Sequence, residues 1–342
     1  MSDSRAKHGL DELTPPNLEA IVDIVFVHGL HGNKENTWTA TTKDGKVFWP
    51  RDLLTQDIKN ARIFTWGYDS HITHFWSKTS AGNVDTHAKN LCADLSSRRE
   101  FTDTTDRPII FVGHSLGGIV CANTLVLAEN SAEPYANEIA SNIRGMAFLG
   151  TPHEGSNKTK WAKVGQQFAS WIKTVNKEHI EVLEPHSVKL GSIGSSFGNI
   201  LRRRGEKKEK GSKIEIACFF EEKETSPIGF IVTEDAARLG SYETMSIAAD
   251  HRGMAKFTSK EDPGYARVSG VLNMWVSILE KEAAKPPQPP PASVINKAFF
   301  GDNNGGLNVG QSQAPTNWTQ NNYGRQGQGD SDPSQGGRRT GA

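Results

Sequence analysis

A mostly parallel α/β sheet with helices on both faces is the fold class this sequence predicts, and three observations predict it. The apolar run 109–112 leads into Gly113-His114-Ser115-Leu116-Gly117 and then directly into a helical pattern of Ile119, Val120, Ala122, Leu125 and Val126. An earlier apolar run, 21–27, ends in His28-Gly29-Leu30-His31-Gly32. Further apolar runs at 61–66, 143–149 and 214–220 are separated by segments long enough to hold helices, the rhythm of βαβ units. In such sheets functional groups gather at the carboxyl ends of the strands, where both glycine motifs fall.

The 342 residues, 36% hydrophobic and 23% charged with zero formal net charge, suffice for one large α/β domain plus appendages. A neutral balance gives no general case for nucleic acid or an anionic membrane surface as partner. Cys92, Cys121 and Cys218 lie in apolar or helical patterns, with no C-x-x-C pair, and read as reduced, buried residues. The first residues are polar without an apolar core, and no run approaches the length of a transmembrane segment. A cytoplasmic protein is the expectation.

In chain order, residues 1–19 are polar and interrupted by proline, which predicts a flexible arm ahead of a domain over 20–284. Trp49-Pro50-Arg51-Asp52 opens a short helix with proline in its first turn. Helical spacing of Val84, Ala88, Leu91 and Leu95 predicts a helix over 83–99. Residues 156–212 break the βα rhythm. Trp161, Val164, Phe168, Trp171, Ile172 and Val175 form an amphipathic stripe, a second helix is expected over 178–190, and the basic run 202–210 reads as a solvated loop. We expect this insertion to be a lid. A short strand at 245–248 and a closing helix over 265–282 complete the domain. Residues 285–292 form a Pro-rich linker, and 293–342 is a Gly/Asn/Gln-rich tail with the composition of a disordered segment.

The chemistry follows from the serine. A Ser between small residues on a strand–turn–helix corner is lifted above the sheet as a nucleophile, with the N–H of Leu116 facing whatever it attacks. Its hydroxyl needs an imidazole base, and that imidazole needs a carboxylate to fix its tautomer. His251 follows the short strand near the domain's end and is the sole histidine beyond the acid-bearing region. Glu221 and Glu222 both follow the strand 214–220; Glu221 is the favoured acid, Glu222 the alternative, and Asp235 and Asp250 are competitors. The His28-Gly29 turn sits where α/β-hydrolases place their second oxyanion donor, which assigns that role to the Leu30 N–H. His28, His31, His114 and His153 are expected to line or support the pocket. No acidic cluster accompanies them, so a metal is not expected; no cofactor is expected either.

Taken together, Phe26-Val-His-Gly-Leu-His-Gly32, Trp49-Pro-Arg-Asp-Leu-Leu54, Arg62-Ile-Phe-Thr-Trp-Gly-Tyr68, Phe111-Val-Gly-His-Ser-Leu-Gly-Gly118, Phe148-Leu-Gly-Thr-Pro-His153, Phe219-Phe-Glu221, Asp250-His251 and Lys256-Phe257 carry a family resemblance. Residues 20–284 resemble the serine esterase/lipase-type α/β-hydrolases related to the PGAP-like lipases, in the form found on fungal NACHT and other NLR-like proteins. The resemblance implies an α/β-hydrolase fold with an inserted lid, an acyl ester or lipid substrate, and triad roles for Ser115, His251 and Glu221. Gly229-Phe-Ile-Val232 resembles the place where related lipases carry an Asp-Gly-Val-Val acid, but no aspartate is present, which leaves the acid to Glu221 or Glu222.

The absence of a P-loop or repeat array from the 342 residues makes a free-standing hydrolase the expectation. Within the tail, Phe299-Phe-Gly-Asp-Asn-Asn-Gly-Gly-Leu-Asn-Val-Gly-Gln311 alternates apolar with Asn, Gln and Gly positions, a pattern able to stack as cross-β. The stretch, near 298–318, is similar to the sigma-type amyloid motifs of fungal SesB-like effectors. That resemblance implies templating by an NLR-type receptor, self-association through the tail, and a role in programmed cell death or heterokaryon incompatibility. Two other readings remain at the level of sequence: a catalytically silent signalling or scaffold module, and a peptidase or thioesterase on the same fold.

Overall fold

The alternation of apolar residues dictates the layers. In the computed structural model, which describes residues 7–15, 19–70, 83–153, 158–175, 184–207, 209 and 211–284, the odd and even positions of the central strands pack into two separate cores. Val25, Val27, Ile109 and Phe111 face one side, and Val22, Ile24, Phe26, Ile110 and Val112 face the other. All six residues of the second strand are buried, as a strand covered on both faces requires.

The elements run β1 (Gly9–Glu12), β2 (Val22–Val27), the hairpin of β3 (Thr39–Thr42) and β4 (Gly45–Phe48), β5 (Ala61–Gly67), α1 (Val84–Phe101) and β6 (Ile109–His114). Then follow α2 (Leu116–Glu129), α3 (Pro134–Asn142), β7 (Ile143–Leu149), α4 (Lys158–Val175), α5 (Glu184–Glu206), β8 (Glu215–Glu221), β9 (Thr244–Ile247) and α6 (Pro263–Ala284). The seven-stranded sheet has the order β1-β5-β2-β6-β7-β8-β9. Every pairing is parallel except β1 with β5. This is the α/β-hydrolase fold. The chain divides into two units, Met1–Pro287 and Gln288–Ala342, and the described residues belong to the first. The linker 285–292 and the tail 293–342 lie outside the described residues.

One face of the sheet is covered by α1, α2 and α3, with the α4–α5 insertion packed beside them, and the other by α6, the hairpin and the helical turn Pro50–Leu54. On the second face Phe26, Trp38 and Trp49 meet edge to face, with centroids 5.0–6.1 Å apart. Fully burying such a side chain contributes on the order of 2–3 kcal/mol. Asn83 starts α1 by accepting from the Asp85 and Thr86 N–H groups, each at 3.0 Å, a cap worth about 1 kcal/mol.

A charge cluster holds the end of the sheet at which β2 begins. Asp23 is fully buried and takes Arg62 at 2.9 and 3.0 Å, Arg99 at 2.8 Å and Arg107 at 3.4 Å. A buried carboxylate is tolerable only with such partners.

Three expectations are corrected. The flexible arm over 1–19 is in part a strand: β1 pairs with β5, Leu10 opposite Trp66, and Asp11 and Glu12 are tied to Lys34 and Arg98. An edge strand is held by backbone hydrogen bonds and needs little apolar sequence, so Gly-Leu-Asp-Glu gives no hydrophobic signal. The second lid helix extends over Glu184–Glu206 rather than 178–190. Glycines and serines lower local propensity there, but Leu190, Ile193, Phe197, Ile200 and Leu201 recur on one buried face, and that burial decides. The basic run 202–210 begins as helix, not as solvated loop. Arg204 is buried, its Nε donating to Glu129 at 2.6 Å and its Nη2 to the Ala140 carbonyl at 2.7 Å. Its long aliphatic stem packs while the guanidinium finds acceptors.

Candidate active site

The turn after β6 is sterically singular. Ser115 has φ 56° and ψ −129°, a conformation that costs a non-glycine residue about 1–3 kcal/mol. The surroundings enforce it: the Ser115 N–H donates to the Leu149 carbonyl at 2.8 Å, and Thr151 Oγ1 donates to the Ser115 carbonyl at 2.9 Å. A Cβ at Gly113 would stand 2.5 Å from the Gly118 Cα, and one at Gly117 would stand 2.3 Å from the Val27 and His28 carbonyl oxygens. Only glycine lets strand and helix pass so closely.

His251, in the turn that follows β9, reaches this serine from the adjoining loop. Its Nε2 lies 3.0 Å from Ser115 Oγ, and its Nδ1 lies 2.5 Å from Glu221 Oε2 at the end of β8. The other carboxylate oxygen, Oε1, accepts from the N–H groups of Ile231 and Val232, the latter at 3.0 Å. Glu221 therefore fixes the Nδ1–H tautomer of His251, which leaves Nε2 free to accept from the serine hydroxyl. The backbone of His251 is anchored at both ends, its N–H donating to Thr225 Oγ1 at 3.3 Å and its carbonyl accepting from His114 Nε2 at 2.8 Å.

The other acids stand elsewhere. Glu222 is exposed, and its backbone N–H completes the sheet at Ile247. Asp235 pairs with Lys160 at 2.9 Å, and Asp250 accepts from the Gly253 N–H at 2.7 Å.

Leu30 and Leu116 lie beside Ser115 through the backbone. Leu116 is the first residue of α2, so its N–H has no acceptor within the helix. Gly29 presses against the serine closely enough that a Cβ there would lie 2.7 Å from Ser115 Cβ, which places the Leu30 loop at the same centre. His28 secures that loop. Its Nδ1 donates to the Gly29 carbonyl at 2.9 Å, its Nε2 accepts from the Tyr68 N–H at 3.3 Å, and its ring stacks on Tyr68 at 4.5 Å. The Tyr68 hydroxyl returns a hydrogen bond to the His28 carbonyl at 2.9 Å. Burial pushes His28 down to about 4 and His114 and His153 down to about 3, so all three are neutral near pH 7. His31 and His114 border a cavity of about 250 Å³ shared with Leu30, Trp171, Arg252 and Lys256, and His153 lines a larger one.

The insertion covers the site. Phe168 and Trp171 of α4 meet the His251 ring edge to face at 5.7 and 5.3 Å, and Arg252 lies over the Trp171 ring at 5.3 Å. Ser115 and His251 are consequently 0% exposed. The sequence reading missed the Ile231 and Val232 N–H donors, because backbone donors leave no motif. Thr151 and Tyr68 fall within the Phe148–His153 and Arg62–Tyr68 segments, but nothing in those segments told which hydroxyl holds the Ser115 or the His28 carbonyl. The Gly229-Phe-Ile-Val232 segment, noted for lacking an aspartate, supplies the two N–H donors to Glu221.

A match over residues 22–203 to the family described as "Putative serine esterase (DUF676)" covers more than half of the chain. The chain belongs to this DUF676 family. Protein SERAC1 of Danio rerio is 26% identical over 265 residues, covering 72% of the chain and 38% of that protein. Protein SERAC1 of Bos taurus is 27% identical over 155 residues, covering 41% and 23% respectively. The DUF676 chain thus spans well under half the length of these relatives. Among solved structures, a study of two fungal esterases from Rhizomucor miehei gives a TM-score of 0.49 at 13% identity, covering 78% of each chain. A lipase of Bacillus licheniformis gives 0.46 at 17% identity, covering 79% of this chain and 97% of its own. Among the described residues, no helix is long and apolar enough to cross a membrane, and no group of three His, Cys, Asp or Glu side chains could hold a metal ion.

Proposed function

We propose that this DUF676 protein is a serine hydrolase that cleaves an acyl ester, with Ser115 as nucleophile, His251 as base and Glu221 as the acid. The observation that carries the reading is the line of contacts from Ser115 Oγ to His251 Nε2 at 3.0 Å and from His251 Nδ1 to Glu221 at 2.5 Å. Ser115 Oγ attacks the ester carbonyl as its proton passes to His251 Nε2, and the Leu30 and Leu116 N–H groups hold the oxyanion. Collapse of the tetrahedral intermediate breaks the ester C–O bond, and His251 returns the proton to the departing alkoxide. A water, deprotonated by the same imidazole, then attacks the acyl-enzyme and releases the acid with Ser115 restored. Throughout, Glu221 orients His251 and stabilises the imidazolium.

Turnover of p-nitrophenyl acetate by the wild type and its loss in Ser115→Ala is the test. Equal turnover by the two would refute the assignment. Control of this activity through the tail, with an NLR-type receptor as partner and cell death as output, is proposed from the Phe299–Gln311 pattern alone, which lies outside the described residues. Growth of thioflavin-positive fibres by the full chain supports it, and a chain that stays monomeric under seeding counts against it.

A further inference from the structure

The cavity that His153 lines has a volume of about 690 Å³, within the range of small-molecule sites, and Ser115 is not among its walls. It lies between α2, α4, α5 and the 239–242 loop, and its walls include Ile119, Ala122, Trp161, Ile193, Phe197 and Leu201. Pro152 and His153 bound it too, immediately after Thr151, whose hydroxyl holds the Ser115 carbonyl. Ile119 stands one helical turn from Ser115. The inner stripe of α4 joins the two places: Trp161 lines the cavity, while Phe168 and Trp171, further along the same buried face, close on His251. From Trp161 to Phe168 is about 10 Å along the helix. His153 is neutral, its Nε2 lacks a hydrogen-bond partner among the described residues, and the exposed Arg202 supplies the charge at the rim.

We infer that this cavity receives the acyl chain of the ester, extended from Ser115 beneath α4, and that the inner face of α5 sets how long a chain is accepted. The assignment rests on the serine esterase reading. The apolar side of this space, which begins one turn from the nucleophile at Ile119, fits a medium or long unbranched chain. Ser195, Asn199, Arg202, Ser241 and Tyr242 add polar groups along α5 and the 239–242 loop.

Gly198 makes the inference testable without disturbing the core. It lines the cavity from within α5, and a Cβ built there meets nothing within 4 Å. Gly198→Phe fills the space, and Gly198→Ala is the control, since alanine improves helix propensity while adding one methyl. The measurement is kcat/KM for p-nitrophenyl acetate, butyrate, octanoate and dodecanoate in mixed detergent micelles, with fluorophosphonate labelling of Ser115 run beside it. For the wild type and Gly198→Ala, kcat/KM rises about fourfold per buried methylene until the cavity is full. Gly198→Phe retains acetate turnover and labelling but loses the gain on octanoate and dodecanoate. A wild-type profile that is flat or falls beyond butyrate, or a Gly198→Phe profile like the wild type's, overturns the chain assignment while leaving the triad intact. Loss of all ester turnover together with labelling in the wild type overturns the esterase reading, and the chain assignment with it.

Discussion

Glu221 and Glu222 are adjacent, carry the same group and differ in everything that matters for catalysis. β8 turns the Glu221 side chain toward His251, where two backbone N–H groups and the imidazole take its oxygens, and leaves Glu222 exposed. Glu221→Gln is expected to lower kcat by about 10³–10⁴, because the amide can hold the wrong tautomer of His251. Glu222→Gln should change kcat by less than about twofold, in line with ordinary surface substitutions. Matched rates for the two variants would reverse the assignment. Ser115 and His251 stood out in the sequence because a G-x-S-x-G corner and a single late histidine are chemically specific, and the fold brings them to 3.0 Å. The choice between Glu221 and Glu222 as the partner of His251 did not, since one residue of register moves a side chain to the other face of a strand, and only the fold fixes that register.

At the scale of elements, the elbow and α4 act in opposite ways. The β6–α2 corner holds Ser115 ready, and α4 keeps it covered. Gly117→Ala would force a methyl within 2.3 Å of two carbonyl oxygens and should destabilise the protein by about 3 kcal/mol, at the upper end of overpacking costs. A urea midpoint unchanged from wild type would show that the corner can relax. Trp171→Ala removes the ring that meets both His251 and Arg252, so the rate of Ser115 labelling by a small fluorophosphonate should rise severalfold. An unchanged rate would mean that reagent already reaches the serine past α4. The central strands and α4 were readable from their apolar periodicity, whereas most of α5 was not, because its glycines and serines mask the buried stripe. The β3–β4 hairpin, α3 and β1 were not, because short or edge elements bury too little apolar surface to mark themselves in sequence.

For the molecule as a whole, buried ionisable groups set the limits of stability. His28 and His114 ordinarily titrate at 6.5 but in the fold are held down to about 4 and about 3 by burial. The unfolded chain takes up these protons below pH 6.5 and the folded chain does not, so stability is full above 6.5 and declines as pH falls toward 4. Each histidine contributes a slope of about 1.4 kcal/mol per pH unit in that window. Unfolding free energies measured from pH 7 to 4 should show this decline, and His114→Gln should reduce the slope by one proton; an unaltered slope would exclude His114 as its source. Asp23→Asn leaves three guanidinium groups without their common carboxylate and should cost about 3–5 kcal/mol in urea unfolding, with m unchanged. Replacement with little loss would mean that solvent already reaches the cluster.

Ser115, His251 and Glu221 are proposed to work as one nucleophilic unit. Reacting the purified chain with a fluorophosphonate and locating the adduct by peptide mass spectrometry examines that unit at its reacting atom. A single adduct on Ser115 is expected in the wild type, strongly slowed in His251→Ala and absent in Ser115→Ala. An adduct elsewhere, or labelling of Ser115 that does not depend on His251, would contradict it.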